Sequence, residues 1–109
     1  MKFRLAIQPR AEREIAEMAR WILETSKNSR IAVGWVDKIQ ATIGTLKTLP
    51  FRCPVDPEST AFGREVRVLM HGKQGRRFRI LFVVVNDEVR ILAVQRASRP
   101  EPIDVDDFD

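Results

Sequence analysis

The sequence predicts an α+β fold: an N-terminal strand, an α-helical hairpin and a three-strand antiparallel meander, with the helices packed on one face of the sheet. Three observations predict it. Apolar residues recur at helical spacing through two successive segments, then alternate through three more, and a proline-rich loop separates the two regimes.

Residues 3–7 read as the first strand, with Phe3, Leu5 and Ile7 on one side and Arg4 and Ala6 on the other. Gln8-Pro9 ends it, and proline suits the first position of a helix, where its missing N–H would have no partner anyway. Ala11, Ile15, Met18, Ala19 and Ile22 then mark one helical face, while Arg13, Glu14, Glu17 and Glu24 fall elsewhere around the axis. After the polar break 26–29, Ser29 is positioned to cap a second helix. That helix carries Ala32, Val36, Ile39, Ile43 and Leu46 and stops at Pro50. Its stripe lasts about two heptads, too short for a coiled coil, so it reads as hairpin packing against the first helix.

Residues 50–63 hold three prolines and Gly63 without sustained periodicity, and read as a loop. Strand-like runs follow at 64–70, 76–85 and 88–96. The first turn is 71–75, and the second is the two-residue Asn86-Asp87, whose residue types tolerate the left-handed backbone of a tight hairpin.

At 109 residues the chain suits one core. The division expected is one domain over residues 1–100 and an acidic C-terminal tail at 101–109. With Cys53 as the only cysteine, no intramolecular disulfide is possible, which suits a reducing cytoplasm. A lone cysteine without a neighbouring ligand motif also gives no metal site, and no cofactor is expected. Nowhere is there a run approaching the roughly 18 apolar residues of a membrane span, nor an apolar export segment at the start. The net charge of +4 hides an asymmetry: the tail holds five acids and no base, leaving residues 1–100 with 19 bases against 10 acids. Such a body favours nucleic acid, a ribosome or an acidic protein as partner.

Pairing outward from Asn86-Asp87 sets Val83 against Arg90, Leu81 against Leu92, Arg79 against Val94 and Arg77 against Arg96. Phe78, Ile80, Phe82, Val84, Val89, Ile91 and Ala93 then face the helices, and Arg77, Arg79, Arg90 and Arg96 face away. The same construction across 71–75 sets Met70 against Arg76, which turns Val66 and Val68 to the helices and puts Arg67 opposite Arg79. An outer surface carrying Arg67, Arg77, Arg79, Arg90 and Arg96 is therefore expected. Solvent-facing strand positions are often Arg, and charged edges prevent aggregation, so such a row has a plain structural account. Like charges facing one another across strands nevertheless cost stability, and arginine's planar fork suits phosphate or carboxylate.

The span from Phe3 to about Arg99 resembles the RelE/ParE toxins of type II toxin–antitoxin systems, closer to the ParE-like, plasmid-stabilisation branch. The features that carry it are Gln8-Pro9 followed by Ala11, the second helix with Ala32 and Trp35 running to Leu49-Pro50, then Glu65-Val66-Arg67-Val68-Leu69, Phe78-Arg79-Ile80-Leu81-Phe82 and Val89-Arg90-Ile91-Leu92-Ala93-Val94. Their order and spacing are specific where no single run is.

That resemblance implies a toxin that a cognate antitoxin neutralises by wrapping it with an acidic or amphipathic segment, in a toxin–antitoxin hetero-oligomer. ParE-like members inhibit DNA gyrase without hydrolysing anything, and this is the leading expectation. RelE-like members cleave mRNA in the ribosomal A site, and a non-toxic homologue that binds nucleic acid or antitoxin is the third alternative. On the nuclease reading Arg67, Arg79 and Arg96 hold the scissile phosphate. The chain has no tyrosine, so the C-terminal tyrosine of RelE-like nucleases is missing, as is the histidine some relatives place after the last strand. Glu65, on the face of Arg67, is then the best remaining base, because arginine holds its proton near neutral pH. His71 reads as a solvated turn residue, Trp21, Trp35, Phe78 and Phe82 as packing. The tail reads as a disordered, solubilising terminus; the competing idea is that Ile103, Val105 and Phe108 fold back over the arginine face as an antitoxin segment would.

Overall fold

A computed structural model describes residues 2–60 and 62–109. The chain runs β1 (Arg4–Ile7), α1 (Pro9–Ser26), α2 (Ser29–Gly44), β2 (Arg67–His71), β3 (Phe78–Val85) and β4 (Glu88–Arg96), with 3-10 turns at Thr45–Lys47, Pro50–Arg52 and Val105–Phe108. Pro9 opens α1 as its residue type predicts, and Lys27 closes it in the left-handed conformation, donating its N–H to the Leu23 carbonyl. The cap of α2 is Asn28 rather than Ser29: the Asn28 side chain accepts from the Arg30 N–H at 2.9 Å. Ser29 is already helical, one residue inside the turn it was expected to cap.

The four strands form one sheet in the order β1-β4-β3-β2. β2, β3 and β4 make the antiparallel meander, and β1 adds to the free edge of β4 in parallel, Arg4 beside Glu88 and Ile7 beside Ile91. The Asn86-Asp87 turn is as expected, with Asn86 at a φ of +57°. Loop 50–63 is irregular apart from the turn at Pro50–Arg52, and Ala61 within it lies outside the described residues. Within this loop, Val55 bridges Arg67. No helix among the described residues is long and apolar enough to cross a membrane.

Each face of the sheet has its own core. On the inner face Ala11, Ile15, Ile39, Ile43 and Leu46 from the helical region pack on Ile80, Phe82, Val89, Ile91 and Val94. Burying such aliphatic and aromatic groups stabilises the hairpin-on-sheet layer by about 1.5–3 kcal/mol for each side chain fully removed from water. The outer face is also apolar, not a field of arginines: Val66, Leu81, Val83, Leu92 and Ala93 lie there under Ile103 and Phe108 of the tail. The tail is therefore packed onto the sheet rather than disordered.

Two register effects account for the difference. β4 carries a bulge at Leu92: Leu81 pairs with Ala93 and Phe82 with Ile91, leaving Leu92 over. Leu92 and Ala93 thus both face outward, and Val94, Gln95 and Arg96 are each shifted one place relative to β3. At the other hairpin Met70 pairs with Arg79, not Arg76, a slip of three residues. An odd slip exchanges faces along a whole strand, so Val66 and Val68 go outward and Arg67 inward.

Candidate protein-interaction site

The five arginines expected on one surface are divided between two. Arg79 and Arg90 project from the outer face, opposite Met70 and Val83 respectively. Arg67 lies opposite Phe82 on the inner face, where its guanidinium donates to the Cys53 carbonyl at 2.7 Å and stacks 5.0 Å from the Phe51 ring. Arg96 pairs with Phe78, again on the helix side, and stands 4.5 Å over the Trp21 ring. Arg77 precedes β3 and is exposed. Glu65 stays near Arg67 at 3.8 Å, as alternation predicts, with its side chain open to solvent. Arg67, Arg79 and Arg96 therefore do not converge on one point.

The outer arginines have protein partners. Arg90 donates to Glu88 at 2.6 Å and to the Phe108 carbonyl at 3.3 Å. Arg79 is ion-paired with Asp56, which also accepts from the Ser59 hydroxyl at 2.8 Å and from the Glu58 N–H at 3.2 Å. Burial works to raise the Asp56 carboxyl, but the Ser59 hydroxyl and the Arg79 guanidinium outweigh it and hold the group below the ordinary carboxylate range. Arg79 is in this way a fastener between β3 and the loop, with its Nε buried and without a partner among the described residues.

A cleft of about 760 Å³ opens where the helical hairpin meets the β2–β3 end of the sheet. Its floor is apolar: Met18, Trp21, Ile22, Trp35 and Phe78, the last two rings 5.2 Å apart. Lys38, Lys73, Arg76, Arg77 and Arg96 line its sides, and no acid does. Trp21, expected to be packing, is 49% exposed, and Ile31 beside it is 52% exposed. A half-open tryptophan in a basic setting is the pattern of a protein-docking surface, where an aromatic anchor and a charged rim work together. Sequence periodicity missed Trp21 because it counted the residue's type and not its position just off the Ile15–Ile22 stripe.

His71 is in this cleft as the last residue of β2, not in a solvated turn. Its Nδ1 lies 2.8 Å from the Thr42 hydroxyl. Burial, with Lys38 nearby, holds the imidazole below its usual pKa, so it is neutral at pH 7 and adds no charge to the rim. Cys53 is buried, and burial raises its thiol pKa, making it a poor nucleophile. Among the described residues no three His, Cys, Asp or Glu side chains are grouped to hold a metal ion.

No curated protein matches the chain. A solved structure described as the chromosomal ParDE TA system from P. aeruginosa superposes with a TM-score of 0.68, covering 87% of this chain and 96% of that one at 19% identity. The likeness at that identity is one of fold: a helical hairpin on a small sheet. The family model described as ParE toxin of type II toxin-antitoxin system, parDE, matches residues 5–100, from the first strand through the last. The chain thus belongs to the ParE toxin family of type II toxin–antitoxin systems, the ParE-like branch of the RelE/ParE superfamily.

Proposed function

We propose that this chain binds and poisons DNA gyrase without chemistry of its own, and that its cognate antitoxin neutralises it by docking an acidic amphipathic segment in the Trp21 cleft. The observation behind the first part is the separation of Arg67 and Arg96 from Arg79 by the thickness of the sheet. Cleavage of RNA by its own 2′-hydroxyl needs a proton acceptor and several phosphate-holding cations on one side, within hydrogen-bond reach of one another. Here the one histidine and Glu65 line different clefts, and Arg79 is engaged by Asp56. Gyrase poisoning asks only for a rigid binding surface. The antitoxin assignment rests on charge: five cationic side chains and no acid surround an apolar floor. Arg77 and Arg96 on that rim are the members of the expected arginine set that this reading retains as partner-binding.

The test is to induce the chain in cells lacking the antitoxin, and to map gyrase-dependent DNA breaks and transcript ends from the same culture. DNA breaks or failed supercoiling with intact transcripts is the expected result. Codon-positioned transcript cuts with normal supercoiling would overturn it in favour of a ribosome-dependent mRNA endonuclease. Absence of both signals would overturn it in favour of a non-toxic binding homologue.

A further inference from the structure

Residues 101–109 contact the body in the manner of a bound peptide. Two side chains are sunk into the outer face, Ile103 at 7% and Phe108 at 2% exposure, while Asp104, Val105 and Asp106 between them point to solvent. The tail adds no strand to the sheet. Instead, long side chains of the body reach out to its backbone. Gln8 donates to the Phe108 carbonyl at 2.9 Å, Arg10 to the Pro102 carbonyl at 2.8 Å, and Gln95 exchanges two hydrogen bonds with the Glu101 backbone.

Backbone contacts of that kind accept any sequence, so selectivity falls to the two apolar anchors and to charge. Arg10 donates to Asp107 at 2.7 Å, and Arg64 stands 5.1 Å over the Phe108 ring, which also meets Phe62 edge-on at 6.0 Å. Arg10 Nη2 is buried and has no partner among the described residues. Lifting the tail would bare Val66, Leu81, Val83, Leu92 and Ala93, an apolar strip flanked by arginines.

We propose that the outer face of the sheet is a binding site for an acidic linear peptide carrying two apolar anchors five residues apart, and that residues 101–109 occupy it in cis until such a partner segment displaces them. The tail is covalently attached, so its local concentration is high and only a better-fitting segment competes. Nine residues held by side chains and a four-residue 3-10 turn open at lower free energy than a strand buried between neighbours. This assignment stands apart from the gyrase reading and needs no antitoxin to test.

A fluorescein-labelled peptide of the sequence of residues 101–109 is titrated into the full chain and into full-length Phe108→Ala. The variant, its own anchor shortened, is expected to bind the peptide at least about tenfold more tightly than the parent, with affinity falling as salt rises. The same peptide with alanine in place of its phenylalanine is expected not to bind. Equal affinity for parent and folded variant, or binding by neither, would overturn the proposal. Hydrogen exchange on the unaltered chain is a second test that survives misfolding of the variant. The Glu101, Asp104 and Asp107 amides are expected to exchange at least about 100-fold faster than the amides of the β3–β4 ladder. Equal protection would make the tail a permanent part of the core and overturn the proposal.

Discussion

Arg79 on β3 and Asp56 in the loop before β2 form an ion pair across 23 residues of chain, with both side chains mostly buried. Asp56 in turn organises its own loop, its carbonyl accepting from the Ser59 and Thr60 N–H groups at 3.2 and 3.0 Å. The pair joins the loop to the sheet, so Arg79 is first a structural residue. Arg79→Ala leaves a largely buried carboxylate without its cation, and a loss of about 2–3 kcal/mol is expected. Urea denaturation of Arg79→Ala, Asp56→Asn and the double variant checks it: a double variant less destabilised than the two single losses added together is the expected result. A toxicity loss in Arg79→Ala is therefore interpretable only beside its unfolding curve.

The Trp21 cleft should be separable from stability. Arg76 and Arg77 are exposed and make no ion pair among the described residues. Charge reversal at both, Arg76→Glu with Arg77→Glu, is expected to weaken antitoxin binding by about tenfold or more at low salt, with the deficit shrinking as salt screens it. The unfolding midpoint should hardly move. Calorimetry at two ionic strengths makes the comparison, and undiminished affinity would place the antitoxin elsewhere.

His71 supplies a pH signature. Its folded pKa lies below 6.5 because burial disfavours the charged ring, with Lys38 acting in the same direction. The unfolded chain takes up this proton first, so the stability His71 contributes is present above about pH 6.5. It is lost as pH falls from there through the folded pKa. As the only histidine, its ring protons can be followed by NMR without assignment of the rest. A midpoint at or above 6.5 would contradict the buried, Thr42-bonded ring.

Glu14 has the opposite sign. It accepts the Val94 N–H at 2.9 Å, yet burial raises its carboxyl pKa despite that bond and the nearby Arg10. The folded state therefore holds this proton more tightly than the unfolded one, and stability from this group grows as pH falls through the folded pKa toward the ordinary 4.5. Glu14→Ala, which strands the Val94 N–H, should cost about 1–3 kcal/mol. Glu14→Gln keeps an acceptor and should cost less while abolishing this part of the pH dependence; stability measured from pH 4 to 7 distinguishes the two.

Gly72 is required by the β2–β3 turn. Its φ is +99°, and a Cβ there would lie 2.6 Å from the Arg76 carbonyl oxygen. Gly72→Ala should destabilise by about 1–3 kcal/mol. Gly34, inside α2 with open space around it, is the contrasting site: Gly34→Ala should stabilise by up to about 1 kcal/mol. Thermal melts of the two variants check the pair of signs.

Much of the fold was legible because it depends on local chemistry. Pro9 marks a helix start by its fixed φ, Asn86-Asp87 marks a hairpin by its tolerance of positive φ, and the apolar spacing of 11–22 and 32–46 marks one face of each helix. The expected bounds of β4 are met at both ends. β2 begins later than expected, at Arg67, and so does β3, at Phe78, because the turn before it extends to Arg77.

What the sequence by itself determined was the inventory and order of elements, the family, and an unusually basic body with an acidic tail. Which face each arginine occupies was decided only by the tertiary structure. The bulge at Leu92 and the three-residue slip at Met70 are each odd displacements, and an odd displacement turns every side chain beyond it to the other face. Alternating apolar residues fit equally well in either register while both faces of the sheet have apolar cover. The helices cover one face, and Ile103 and Phe108 cover the other. Because that second cover comes from residues far along the chain, no local pattern in the strands could reveal it.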